Sequence, residues 1–348
     1  MLPPDASSSP VPLPKLPRRP DDGHKGTFGT VLVIGGCCTA PLRMIGAPAL
    51  VARAAFRAGA GLVKIAAPAP ILDSVLSLTP SATGFAIPVT PQGDIIAHEA
   101  AAVLDVAMSQ ADAIVVGPGL GPSPAVQALT LRCIQQSRIP VVVDADALNA
   151  LAHIPDLVRD LRAPCIFTPH PGEFRRLAAA LNITDDPTHP ASRPQAAAAL
   201  AQRLGCICVL KGAGTIVSNG LETWECPRVH PILATAGTGD VLAGLTGSLL
   251  AQRNLNRAAA STTEPEVDLI ALAAARLGKP VPEHLRTASA PAEPAPLSLF
   301  DLTRIAVDAH AYSGEHHAQL VRPAGMLASE LADTLADILP QYRERDTD

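Results

Sequence analysis

The sequence predicts an α/β fold: a central, mostly parallel β-sheet with helices on both faces and an antiparallel hairpin at one edge. Three observations carry that prediction. Short runs rich in Val, Ile and Leu recur at 30–36, 62–67, 113–117, 140–146, 165–169 and 206–212. They lack clear polar–apolar alternation, so both faces of each strand are expected to be covered, as in a parallel sheet. Ala-rich amphipathic stretches at 47–60, 97–108, 124–136, 172–181 and 193–204 fall between them, supplying the helical crossovers that parallel strands require. Asn219-Gly220 separates two alternating runs within 215–226, which reads as a hairpin.

The remaining elements follow in chain order. Residues 1–22 are rich in Pro and Ser and are expected to form a mobile tail. A helix is expected at about 240–252. Residues 254–297 contain TTEPEVD, GKPVPEH and TASAPAEPAPLS. They hold too few apolar residues for a core of their own. They read as a low-complexity insertion, with one short helix at 266–277, into a single domain spanning 23–348. Two helices are expected to close the chain, at 299–318 and 324–339. The second has Gly325 as its cap and an apolar stripe of Leu327, Leu331, Leu335 and Ile338.

Composition narrows the function. Hydrophobic residues make up 48% of the 348 and charged residues 17%, which excludes a disordered chain. The net charge is −5, from 27 basic and 32 acidic residues, with no basic run. Nucleic acid and anionic membrane are therefore not expected as partners. The seven cysteines have no CxxC spacing and read as buried free thiols in a reducing compartment. The first residues have no signal-like apolar region, and no stretch is long and apolar enough to span a membrane. The cytoplasm is the expected location.

In open parallel sheets, ligands bind beyond the carboxyl ends of the strands. The loops there are unusual. A glycine pair opens GGCCTAPLRMIGAPAL (35–50), and Gly117, Gly119 and Gly121 in GPGLGPS let backbone approach a ligand. Asp144 and Asp146 stand at a strand end in DADALNAL. In TPHPGEF, two prolines fix His170 ahead of Glu173. GPGLGPS lacks the full dinucleotide fingerprint, which argues against an NAD-dependent dehydrogenase.

KGAGT (211–215) and ATAGTGDVLAG (234–244) carry the sharpest signal. Small residues ahead of a helix N-terminus offer backbone N–H donors and partial positive charge, a setting for phosphate. Asp240 stands at its mouth. A plain cap needs only one Ser, Thr or Asp, whereas Gly237, Gly239 and Gly244 carry an entropic cost. A carboxylate beside a phosphate is repelled unless it does chemistry there. The useful role is to take a proton from a hydroxyl that attacks phosphorus. No GxxxxGK[ST] loop follows the first strand; the phosphate site comes late in the chain.

With these residues in hand, the chain resembles the ADP/ATP-dependent NAD(P)H-hydrate dehydratases, carbohydrate-kinase-like members of the ribokinase-like superfamily. HKGTFGTVLVIGG, GAPALVARAAFRAGAGLVKIA, VVGPGLG, VVDADALNAL, FTPHPGEFRRL, VLKGAGTIV and ATAGTGDVLAGLTGSLLAQ carry the resemblance in order, and it resumes at AGMLASELADTLADILP. It implies a three-layer α/β/α ribokinase-like fold. It also implies repair of hydrated NADH or NADPH: ADP or ATP phosphorylates the ring hydroxyl of the S-hydrate, phosphate leaves, and NAD(P)H is restored. Carried over by position, Asp240 is the catalytic base and also contacts substrate. Ala47, Gly119 and His170 line the hydrate site. Lys211, Gly212, Ala213, Gly214 and Thr215 lie along the nucleotide, with Gly237, Thr238 and Gly239 at the transferring phosphate. Glu173 resembles the acidic member of the superfamily's Asn-x-x-Glu motif, which organises Mg²⁺ through water. A dimer or tetramer is implied.

Three departures accompany the resemblance. The family pattern His-Gly-x-Ala-Gly-Asp is here HAYSGE, with Ala311 and Glu315 in place of Gly and Asp, while His310 and Gly314 are kept. A shifted loop is expected there. The 254–297 insertion has no counterpart in the pattern. The epimerase domain often fused to bacterial members is not in this sequence, so R/S epimerisation is expected to be spontaneous or the work of a separate protein. A hydroxyethylthiazole or hydroxymethylpyrimidine kinase of the same fold is the nearest alternative, and an inactive nucleotide-binding module is the next.

Overall fold

The computed structural model describes residues 12–255, 297–321 and 324–344. Strands β1 (Thr30–Ile34), β2 (Leu62–Pro68), β3 (Thr83–Ile87), β4 (Ala113–Val116), β5 (Val141–Val143), β6 (Cys165–Phe167), β7 (Ile207–Leu210), β8 (Ile216–Ser218) and β9 (Thr223–Glu225) form one sheet. Its order is β3-β2-β1-β4-β5-β6-β7-β8-β9. Strands β1 to β7 pair in parallel. β8 and β9 are antiparallel and close one edge as the expected hairpin.

Side chains alternate through the sheet, and both sets are buried. Val31 and Val33 enter one core while Leu32 and Ile34 enter the other. The same split holds for Val115 against Ile114 and Val116, and for Val142 against Val141 and Val143. This is why the runs read as continuously apolar. The first core is covered by α1 (Gly46–Arg57), α2 (Ala69–Leu78), α8 (Thr238–Ala251), α9 (Leu299–Leu320) and α10 (Ala328–Ile338). The second is covered by α3 (Ala97–Met108), α4 (Pro124–Ile134), α5 (Asp146–Leu151), α6 (Pro171–Leu181) and α7 (Arg193–Leu204). The expected three layers are present.

Helix α8 is buried along nearly its whole length. Two of its glycines explain how it fits. A β-carbon at Gly244 would lie 2.2 Å from Val51 O of α1, and one at Gly247 would lie 2.6 Å from Val115 Cγ2 of β4. Gly244 therefore serves helix packing rather than the phosphate loop, a correction to its reading as part of the loop's glycine cost.

The structure departs from expectation elsewhere. Helix α2 and strand β3 were not anticipated. β3 is an edge strand with Thr83, Gly84 and Ala86 exposed, and its Gly and Ala, both weak strand formers, leave no β-branched run to read. The tail expected through residue 22 is docked from residue 12: Leu16 is buried, and its N–H donates to Tyr342 O at 2.7 Å. Arg19 stacks 3.6 Å from the Phe28 ring centroid and donates to Gly59 O. Leu331, Leu335 and Ile338 form the buried stripe of α10, but Leu327 precedes the helix and is exposed. Most of the expected 254–297 insertion, with its 266–277 helix, lies outside the described residues. All seven cysteines are buried free thiols. Among the described residues, no helix is long and apolar enough to cross a membrane.

Candidate active site

The carboxyl ends of β4 to β7 and the start of α8 converge on one point. α8 begins at Thr238, so Asp240 sits in its first turn, after the N-cap Gly237. Gly237 has φ +90°, a left-handed conformation that strains any residue with a β-carbon. A side chain there would also collide with Leu50 Cδ1 and Ala328 Cβ, at 2.7 and 2.9 Å. Thr238 pins the turn, its hydroxyl donating to Leu233 O (2.8 Å) and Thr235 O (2.9 Å). A β-carbon on Gly239 would lie 3.6 Å from Lys211 Nζ, so the Lys211 ammonium stands over the helix N-terminus. Cation, free N–H groups and dipole thus act on the same spot.

Lys211 follows β7. Its Nζ donates to Asp144 Oδ1 at 2.7 Å and lies 3.9 Å from Glu173 Oε2. Asp144 is buried and also accepts from Thr168 Oγ1 at 2.6 Å. Burial works against the Lys211 charge, but Asp144, Glu173 and Asp240 outweigh it and raise the pKa above the ordinary lysine value. Asp240 responds in the opposite sense. Burial and the Asp144 charge push its pKa up to about 7, with Lys211 opposing and Asp146 adding to the rise. Burial likewise raises Glu173, against the pull of Lys211.

His170 and Glu173 form a capping box on α6. His170 Nδ1 accepts from Gly172 N (2.9 Å), and Glu173 Oε2 accepts from His170 N (2.8 Å). Burial, then Lys211 and Arg176, lower the His170 pKa, so the ring is neutral near pH 7. Ala47 in the first turn of α1 meets Gly119, where a β-carbon would lie 3.1 Å from Ala47 Cβ. Leu50, one turn along α1, contacts Gly237. The structure thus brings Ala47, Gly119 and Asp240 to one end of the sheet, with His170 near Lys211 and Asp144.

A cavity of about 390 Å³ opens beside Lys211 and Gly239. Gly212, Ala213, Thr215 and Thr238 line it with them, while Leu233, Val307 and Ala311 supply apolar wall. Gly214 is not in that wall; it is buried where a β-carbon would meet Glu225 Oε1. His310 is buried, and its Nε2 lies 2.9 Å from Thr238 O. That carbonyl can only accept, so Nε2 carries the proton. Burial lowers its pKa to about 4.

Sequence reasoning missed three supports. Buried Arg193 of α7 donates to Ala213 O and, at 3.2 Å, to Leu210 O, bracing the 211–215 loop. Asp144 stood in the strand-end doublet but was not assigned a partner. Arg228 lines the cavity, bonds Asp308 (3.2 Å) and Glu315 (2.7 Å), and stacks 4.3 Å from the Tyr312 ring centroid. Glu315 in HAYSGE is therefore an ion-pair partner that holds Arg228 at the cavity wall. No shifted loop replaces the motif: it continues α9 as regular helix.

A family model for NAD(P)H-hydrate dehydratase matches residues 31–279. The chain belongs to that family. A bifunctional NAD(P)H-hydrate repair enzyme from Salinibacter ruber is 41% identical over 250 residues, covering 70% of this chain and 44% of the relative. An ADP-dependent (S)-NAD(P)H-hydrate dehydratase from Xanthomonas campestris is 35% identical over 231 residues, covering 66% of this chain and 75% of the relative. This chain thus spans less than half the length of the bifunctional relatives it matches. The crystal structure of the ADP/ATP-dependent NAD(P)H-hydrate dehydratase from Bacillus subtilis, co-crystallised with ATP/Mg²⁺, has TM-score 0.67 at 24% identity, covering 95% of this chain and 99% of that one. A ribokinase-like superfamily protein from Enterococcus faecalis has TM-score 0.66 at 23% identity, covering 94% and 93%. These likenesses establish the ribokinase-like fold.

Proposed function

We propose that this protein dehydrates the S-form of hydrated NADH or NADPH at the expense of ADP or ATP. The observation that carries this reading is Asp240, poised by burial near pH 7 at the helix N-terminus that Lys211 overlooks. Family membership supplies the substrate class. A base with a pKa near neutrality is suited to remove a hydroxyl proton at physiological pH.

In this reading the nucleotide lies in the cavity along Lys211, Gly212, Ala213 and Thr215, with Gly214 shaping the loop beneath. The transferring phosphate meets Lys211 and the turn of Gly237, Thr238 and Gly239, in which the Thr238 N–H already donates to Thr235 O at 3.3 Å. Ala47, Gly119 and His170 line the hydrate site. Asp240 accepts the ring hydroxyl proton as its oxygen takes the phosphoryl group. Elimination then breaks the C–O bond: phosphate leaves with the electron pair, a neighbouring ring carbon gives up a proton, and the ring double bond is restored. With ADP the balance is hydrate plus ADP to NAD(P)H, AMP and phosphate. Phosphoryl transfer needs positioning and charge neutralisation above all.

The donor set fits Mg²⁺ held largely by water and phosphate. Asp144, Glu173 and Asp240 gather here against Lys211 and Arg176, an excess of hard oxygen donors such as that ion takes. Among the described residues, no three His, Cys, Asp or Glu side chains form a cage. Glu173 would hold the ion through water, and the ion would neutralise phosphate charge. A cytoplasmic location, a homodimer or homotetramer, and an epimerase acting in the same repair belong to the same reading.

The test is absorbance at 340 nm with hydrated NADH, Mg²⁺ and ADP or ATP. A rise with wild type, absent with Asp240→Asn, supports the dehydratase. A stable phosphoester in place of phosphate would indicate a small-molecule kinase.

A further inference from the structure

A second cavity lies on the other side of the reaction centre. It has about 370 Å³ and is lined by residues of the loop after β4 and of helices α4 and α5. The nucleotide cavity described above belongs to the loops after β7 and β9. Because β4 and β5 lie on one side of β6 and β7 to β9 on the other, the two cavities flank the Lys211–Asp144 pair. The Gly119–Gly121 loop joins the second cavity to the hydrate site: Gly119 packs on Ala47, and Gly121 lines the cavity wall.

The lining is chemically specific. Asp146, Ser123, Gln127, Asn149 and His153 contribute polar groups, with Ala150 between them. No Lys or Arg lines it. Asp146 is held in place: its Oδ2 accepts Gly121 N–H at 2.8 Å. The preceding Ala145 has φ +50° and ψ −120°, a conformation costly for a residue with a β-carbon and retained where the surroundings impose it. Asn149 is fixed by Arg176 Nη1 at 3.1 Å, and Gln127 by Ala150 O at 3.3 Å. An anchored carboxylate with neutral donors and acceptors suits a ribose diol and a neutral base, as an acidic residue does in dinucleotide folds. It does not suit a phosphate group. The Asp146 charge is also felt at Asp240, which places the cavity within electrostatic reach of the base.

We infer that this cavity is the subsite for the nucleoside end of the dinucleotide substrate, with Asp146 accepting from the ribose hydroxyls. The inference rests on the dehydratase reading for the identity of the substrate. The dinucleotide then runs from the hydrate at Asp240, along the Gly119–Gly121 loop, to α5, and the phosphate donor approaches from the opposite side.

The test compares hydrated NADH with hydrated reduced nicotinamide mononucleotide, which lacks the nucleoside end. Ala150→Trp fills the cavity, and Asp146→Asn keeps an acceptor for Gly121 while removing the charge. Each variant is expected to lower kcat/KM for hydrated NADH by about 10- to 100-fold relative to its effect on the mononucleotide hydrate. Equal effects on both substrates would overturn the subsite. If wild type turns over neither, the dehydratase reading fails, and binding decides the subsite separately. NAD⁺ and nicotinamide mononucleotide are then titrated calorimetrically with ADP saturating. Ala150→Trp weakening NAD⁺ alone supports the subsite; equal weakening of both, or no binding of NAD⁺ by wild type, overturns it.

Discussion

The Lys211 ammonium is shared between two buried carboxylates, 2.7 Å from Asp144 Oδ1 and 3.9 Å from Glu173 Oε2. It also draws down the Asp240 pKa that burial raises. Lys211→Met is therefore expected to move the acidic limb of the kcat/KM profile to higher pH, because Asp240 loses its opposing charge. The nucleotide Kd should rise by about 10-fold or more, as a charge-assisted contact is lost. Removing one partner of a buried pair costs about 3 kcal/mol, and the loss should be larger at pH 8 than at pH 5, where the stranded carboxylates can protonate. Kinetics against pH and thermal unfolding at the two pH values check this.

Asp240→Asn separates chemistry from binding. Turnover should fall about 10²- to 10⁴-fold while ADP still binds. Stability should move the other way. The folded-state pKa, about 7, lies above the reference value of 3.8, so the folded protein resists ionising Asp240. That destabilisation is absent below the lower value, grows between the two, and is complete above the higher. Asn removes it, so the variant should be about 2 kcal/mol more stable than wild type at pH 8 and equal to it at pH 4. Denaturant unfolding at both pH values decides the sign. A variant less stable at pH 8 would mean that Asp240 is held by bonds rather than stranded by burial.

Much of this site was legible in the sequence, for stated physical reasons. Glycines and a carboxylate at a helix start mark a candidate anion site before any tertiary contact is known, and Pro-rigidified His170-Pro-Gly-Glu173 marks a fixed turn, which the structure shows as a capping box. The partners were not legible. Asp144 looks like any strand-end carboxylate until the fold places Lys211, 67 residues later, within 2.7 Å. Arg193 is only the first residue of a helical stretch in the sequence, yet it is buried against the 211–215 loop. Glu315 read as a lost motif residue because Arg228 lies 87 residues away in sequence. Gly244 read as loop chemistry because the approach of α1, which requires it, is a tertiary fact. The fold followed the same rule: buried strands β1 and β4 to β7 were visible as apolar runs, and the exposed edge strand β3 was not.

Arg193 acts through the loop it braces. Its guanidinium spans two carbonyls, Ala213 O and Leu210 O, a fork that one ammonium cannot reproduce. Arg193→Lys is thus expected to raise the KM for ADP by about 5- to 10-fold and to cost about 1–2 kcal/mol in stability, with kcat largely kept. A fall in kcat at unchanged KM would contradict a positioning role. Steady-state kinetics with ADP varied gives the split.

Glu315 tests whether the altered HAYSGE motif has lost a function or gained an ion pair. Its carboxylate holds Arg228 Nη1 at 2.7 Å, while Asp308 holds Nε at 3.2 Å and Tyr312 stacks beneath. Asp308 is itself bonded by Tyr342, so Arg228 keeps one firm anchor when Glu315 is changed. Glu315→Gln should therefore raise the ADP KM only about 2- to 5-fold and cost about 1 kcal/mol, since the pair is partly exposed. Glu315→Asp keeps the charge on a shorter arm and should fall between Gln and wild type. Arg228→Met loses both anchors, leaves buried Asp308 without its cation, and should raise KM and destabilise more than either. That ranking, read from ADP kinetics and thermal unfolding together, identifies Glu315 as a brace for the cavity wall. A collapse of kcat in Glu315→Gln with KM unchanged would instead place it in the chemistry.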